Sequence, residues 1–190
     1  MSFIGDLKIG SKAEDFVIAL FQDAGWTCTK NKDITHDFEA VCGTKSLKFE
    51  VKFDKMSAST GNLAIEYYNP KLDKPSGITA SKSDCWIFVV PDPKMSAFLV
   101  EVPCLLDYIN NNKPFRTIDA GGDKNASLYL YKRQAIFEQV FFQIDELTPN
   151  MLNALLSTYT DNRDSKNFEK DYSAEYTESE PAGVVDDIPF

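Results

Sequence analysis

The sequence predicts an α/β fold, and three observations carry that expectation. An amphipathic helix opens the chain, short strands with a two-residue alternation follow it, and an uninterrupted apolar strand comes after a helical turn. Between Asp6 and Ala24, the residues Leu7, Ala13, Phe16, Val17, Leu20 and Phe21 recur at helical spacing, and Gly25 stands where the helix should stop. Next, "WTCTK", "HDFEAVCG" and "SLKFEVKFD" have strand character. In the last of these, Leu47, Phe49, Val51 and Phe53 face one side, and Lys48, Glu50 and Lys52 face the other. The "CGTKS" between the second and third strands reads as a hairpin turn. "NLAIEYYN" is a fourth candidate strand, "PKLDKPSG" a loop, "ITASKSD" a short helical turn and "CWIFVV" the apolar strand. Further on, "AFLVEV" and "SLYLYK" read as strands, and "PCLLDYINNN" as a helix opened by Pro103. A final helix begins in "LTPNMLNALLSTY", with Thr148 as its cap and Pro149 at its first position.

With 190 residues, one domain with a real core is the expectation. "CWIFVV" is far shorter than the ~20 apolar residues a membrane span needs, and "MSFIGDLKIGSKAED" shows neither a signal-peptide nor a transit pattern. No membrane association and a cytoplasmic location are therefore expected. Cysteines at 28, 42, 85 and 104 form no CxxC pair and the chain has a single histidine, so a zinc site is not expected. The net charge of −9 is unevenly spread. Nine of the 29 acids but only three of the 20 bases fall in residues 161–190, leaving residues 1–160 close to neutral. Residues 1–160 are thus expected to form the domain. Residues 161–190, polar and acidic without apolar periodicity, are expected to be a disordered tail.

The stretch "HDFEAVCGTKSLKFEVKFD" carries the candidate chemistry. Asp37 is followed, after twelve residues, by Glu50, Val51 and Lys52. In a hairpin the two acids can face the same side, and Glu50 and Lys52, two apart on one strand, necessarily do. Two carboxylates at close range resist joint ionisation unless a hard cation such as Mg2+ lies between them. The lysine can then orient or deprotonate a water, or steady charge on a phosphate. Several neighbours stay open: Glu39 shares the face of Asp37 and competes for the role of first ligand, Glu66 could line the same pocket, and His36 could shuttle protons or simply pack. The glycine-rich "DAGGDKNAS" lacks a nucleotide-loop pattern and reads as a turn.

Together these residues resemble the PD-(D/E)xK nuclease superfamily, whose core is related to restriction endonucleases and Holliday junction resolvases. The likeness covers about residues 6–90, with Asp37, Glu50 and Lys52 matching the signature, Glu14 matching the acid of the first helix, and His36 standing where the signature often has proline. It implies a restriction-endonuclease-like αβββαβ core with a mixed central sheet flanked by helices. It also implies a Mg2+- or Mn2+-dependent nuclease acting on DNA, with Asp37, Glu50 and the Val51 carbonyl as metal ligands, Lys52 as base or electrostatic stabiliser, and Glu14 as auxiliary. Ser81 and Lys82 begin the segment where the family often supplies a phosphate contact. A homodimer, as in resolvases, is left open.

The last residues, "GVVDDIPF", resemble the acidic tip of bacterial single-stranded DNA-binding proteins. That likeness implies docking onto bacterial replication and repair proteins. Ile188, Pro189 and Phe190 would form a stiff apolar anchor, and Asp186 and Asp187 would face a basic rim. A phage or mobile-element protein using a host docking signal fits both resemblances. Two rival readings remain: a non-catalytic protein of nuclease-like fold whose tail competes for host repair proteins, and a single-stranded DNA-binding barrel. The long first helix argues against the barrel.

Overall fold

In the computed structural model, residues 3–31, 35–120 and 124–159 are described. Helix α1 (Phe3–Asp23) is followed by strands β1 (Thr27–Lys30), β2 (Phe38–Cys42) and β3 (Lys45–Phe53). The helix stops where the sequence places a glycine, and Gly25 takes a φ of 89°, open to a residue without Cβ. Strands β2 and β3 form a hairpin closed by Cys42 opposite Lys45, with Gly43 at φ 62° in the turn. A short helix α2 (Lys55–Thr60) leads to β4 (Asn62–Asn69), β5 (Lys74–Pro75) and a 3-10 turn (Gly77–Ala80). Then come β6 (Cys85–Pro91), β7 (Met95–Glu101), α3 (Val102–Asn111), β8 (Arg116–Ala120), β9 (Ala126–Lys132), α4 (Arg133–Val140), β10 (Phe142–Gln143) and α5 (Pro149–Thr158).

The central sheet has the order β1-β2-β3-β6-β7-β10. Only β3 and β6 run parallel; the other neighbours are antiparallel, so the sheet is mixed. Strand β6 lies inside this sheet and is buried on both faces, which is why it reads as an unbroken apolar run. Ile87 and Val89 face the helical side with Leu47, Phe49, Leu99, α1 (Ala13, Val17, Phe21) and α5 (Leu152, Leu156). Trp86 and Phe88 face the other side, covered by Leu63 and Ile65 of β4, Ile78, Leu105 of α3 and Ile136 of α4. Phe21 contacts both hairpin strands edge-on, with ring centroids 5.5 Å from Phe38 and 4.8 Å from Phe49. This aromatic contact fixes α1 on the hairpin and holds the strand ends where the candidate residues sit.

The α/β class, the mixed sheet and the flanking helices agree with the expectation. Thr148 caps α5 as expected, accepting a bond from the Met151 amide at 3.3 Å. The second sheet, with order β5-β4-β9-β8, goes beyond it. The candidate strands "NLAIEYYN" and "SLYLYK" pair with one another, Asn62 opposite Lys132, rather than with the central sheet. No helix among the described residues is long and apolar enough to cross a membrane. The segment 161–190 lies outside the described residues.

Candidate active site

Asp37 stands one residue before β2. Its amide donates to the Phe49 carbonyl at 2.9 Å. The β2–β3 ladder ends with Phe38 opposite Phe49, and just beyond it the Asp37 and Glu50 carboxylates are close enough to repel each other. Phe38 and Phe49 point into the helical core, so Asp37 and Glu50 share the opposite face. The Val51 amide donates to Asp37 Oδ2 at 2.6 Å. Because the N–H and C=O of a strand residue lie on one edge, the Val51 carbonyl is on the same side, past the start of β2.

Lys52 follows on the same face. Its Nζ lies 2.5 Å from Glu50 Oε1 and 5.1 Å from the centre of the Trp86 ring. The Glu50 side chain is only 20% exposed and that of Lys52 40%, so the ion pair is half sheltered. Burial raises the Asp37 carboxyl above its ordinary range; the Val51 amide opposes this, Glu50 adds to it by repulsion, and Lys52 and His36 pull it back. His36 Nδ1 lies 3.2 Å from Asn31 Nδ2 and 2.9 Å from Thr35 Oγ1.

The structure thus brings Asp37, Glu50, Val51 and Lys52 together. Glu39 is one pleat away, opposite Lys48, and accepts a hydrogen bond from the Ser46 hydroxyl. The Val51 amide meets Asp37 instead, which distinguishes the two acids. Glu14 is held by Lys30 at 2.9 Å, and Lys30 lies opposite Phe38 in the β1–β2 ladder, so this acid belongs to the helix-bearing side. Leu63 and Ile65 point into the core, which turns Glu66 to the outer face of the second sheet. Ser81 accepts a hydrogen bond from Trp86 Nε1 at 2.9 Å, and Lys82 is exposed beside it. Trp86 escaped the sequence reading because only the parallel register, Glu50 opposite Trp86, reveals it.

Among the described residues no three His, Cys, Asp or Glu side chains cluster. Mg2+ does not require three, since it is held by one or two carboxylates and otherwise by water and substrate oxygens. The donors here fit such an ion: hard oxygens, one of them on a carboxyl whose ionisation is opposed by burial and by a second acid.

No family model matches the chain, and no curated protein matches it. Among solved structures, the chain is similar to a bacterial homing endonuclease, I-Ssp6803I, with TM-score 0.42 and 19% identity over 52% of this chain and 70% of that one. It is also similar to Hjc, a Holliday junction resolvase from the archaeal hyperthermophile Archaeoglobus fulgidus, with TM-score 0.40 and 11% identity over 72% of this chain and 93% of that one. Neither likeness is close enough to transfer a residue role.

Proposed function

We propose that this chain is a divalent-metal-dependent DNA nuclease that hydrolyses phosphodiester bonds. The observation that carries the reading is the meeting of Asp37 and Glu50 on one face at the end of the β2–β3 ladder, with Lys52 beside them. A Mg2+ or Mn2+ ion held by Asp37, Glu50 and the Val51 carbonyl would supply an activated water and neutralise phosphate charge. The chain does the remaining work. The Val51 amide fixes the rotation of the Asp37 carboxyl and ties it to the strand that carries Glu50. Lys52 presents an ammonium where charge grows on the phosphate oxygens, and a half-sheltered position strengthens that interaction. Ser81 and Lys82, next to Trp86, would contact the flanking DNA backbone, whereas Glu14, held by Lys30 on the helix-bearing side, is given no part in the site.

The segment Asp186–Phe190 would dock on bacterial proteins that read the tip of single-stranded DNA-binding proteins. Such docking would bring the nuclease to DNA undergoing recombination or repair, in a bacterial or phage setting. A near-neutral body gives modest, salt-sensitive affinity for DNA, so recruitment complements it. The test is incubation with branched, single-stranded and duplex DNA, with Mg2+ or with chelator. Metal-dependent cleavage of any of them supports the reading. No cleavage of all three would favour a non-catalytic protein of nuclease-like fold.

A further inference from the structure

We propose that Trp86 and Ser81 are positioning residues that hold the Lys52 ammonium in place. Trp86 is 2% exposed and stands opposite Glu50 in the parallel β3–β6 ladder, so its indole lies beneath the face that carries Glu50 and Lys52. Lys52 Nζ lies 5.1 Å from the indole centre, within the reach of a cation–π contact. The indole is itself fixed: its Nε1 donates to Ser81 Oγ at 2.9 Å, and that oxygen also accepts the Ser83 amide at 3.3 Å. Backbone, hydroxyl, indole and ammonium thus form one chain of contacts.

A lysine side chain has several rotatable bonds, and an ammonium tethered by one carboxylate still samples many positions. Here Glu50 holds it from one side and the indole face from the other. The proposal rests on the nuclease reading, in which Glu50 also serves a cation. With Glu50 so engaged, the indole is the contact that keeps the charge of Lys52 facing the phosphate. Packing alone would not require an indole there, because the neighbouring inward positions of β6 and β7 are filled by Phe88 and Val100.

The test uses the full chain and two readouts. The indole N–H signals of Trp26 and Trp86 are followed by NMR, with Trp86→Phe giving the assignment. Lys52→Met is expected to move the Trp86 signal and leave that of Trp26, whose Nε1 bonds to Asn153 on α5. An unmoved Trp86 signal overturns the contact. In cleavage assays Trp86→Leu should lower kcat about tenfold with KM for DNA unchanged, whereas Trp86→Phe, which keeps an aromatic face but loses the N–H bond to Ser81, should fall between Trp86→Leu and wild type. Equal loss in both variants would reduce Trp86 to packing and overturn the proposal. Should Trp86→Leu not fold, Ser81→Ala must move the Trp86 signal and lower kcat, with Ser81→Thr restoring both; no effect of Ser81→Ala counts against it. If the wild type cleaves nothing, the nuclease reading fails, and the NMR signal alone decides whether Trp86 holds Lys52.

Discussion

The Val51 amide reaches Asp37 Oδ2 at 2.6 Å, across the point where the β2–β3 ladder ends. Val51 lies between Glu50 and Lys52, so one backbone bond ties the acid before β2 to the strand carrying the other two groups. The same bond partly offsets the desolvation of a carboxyl that is half-buried beside a second acid.

That balance predicts a pH-dependent stability. Burial, the leading cause, raises the Asp37 carboxyl above its ordinary value of 3.8. A carboxyl that keeps its proton more tightly when folded opposes folding wherever it is ionised; the penalty is complete above the folded pKa and gone below the unfolded one. Asp37→Asn removes the charge while its amide oxygen can still accept the Val51 N–H. The variant should therefore melt above the wild type at about pH 7, and the difference should vanish as pH falls towards about 4. Melting curves across that range check it; a variant less stable than wild type at neutral pH would refute the balance described.

Lys52→Met should lose turnover by about 100-fold or more, the scale of removing one charge-stabilising donor. Metal binding should survive, and by calorimetry could only tighten, because Glu50 Oε1 is released from its ion pair. Weaker metal binding in this variant would show that the lysine organises the ligands rather than the phosphate.

Gly77→Ala tests the support beneath Ser81. Gly77 has φ 54°, and a Cβ there would lie 2.2 Å from the Glu66 carbonyl oxygen. Neither the backbone angle nor the contact can be relieved by a side-chain rotation, so the substitution should cost about 2–3 kcal/mol. A denaturant midpoint equal to that of wild type would contradict this close approach.

Much of the site was legible because it is local. The alternation of Leu47, Phe49 and Val51 against Lys48, Glu50 and Lys52 sets the faces of β3, and the short Gly43 turn sets the register that ends with Phe38 opposite Phe49, next to Asp37 and Glu50. What was not legible depends on distant pairings. The partnership of β4 with β9, and of Glu50 with Trp86, joins residues far apart in sequence and leaves no periodic trace near either. Helix α2 is short and is capped by Asp54, whose carboxylate accepts the Ser57 amide at 2.8 Å; its sequence has no apolar periodicity by which to be read.

The proposed docking by residues 186–190 gives a separate prediction. A peptide ending in Asp-Asp-Ile-Pro-Phe should bind bacterial proteins that read the tip of single-stranded DNA-binding proteins, and removal of its Phe should weaken binding more than neutralising either Asp. Titration of such proteins with the three peptides checks it. Equal binding by all three, or none by any, would leave residues 186–190 without a docking role.

The central claim is that Asp37 and Glu50 act together as the metal-holding pair of a nuclease. Its most direct measurement is single-turnover cleavage of DNA in excess Mg2+ by Asp37→Asn and Glu50→Gln, each shown to be folded by circular dichroism. Both variants should lose at least about 100-fold in rate. Cleavage by Glu50→Gln at the wild-type rate would contradict the account.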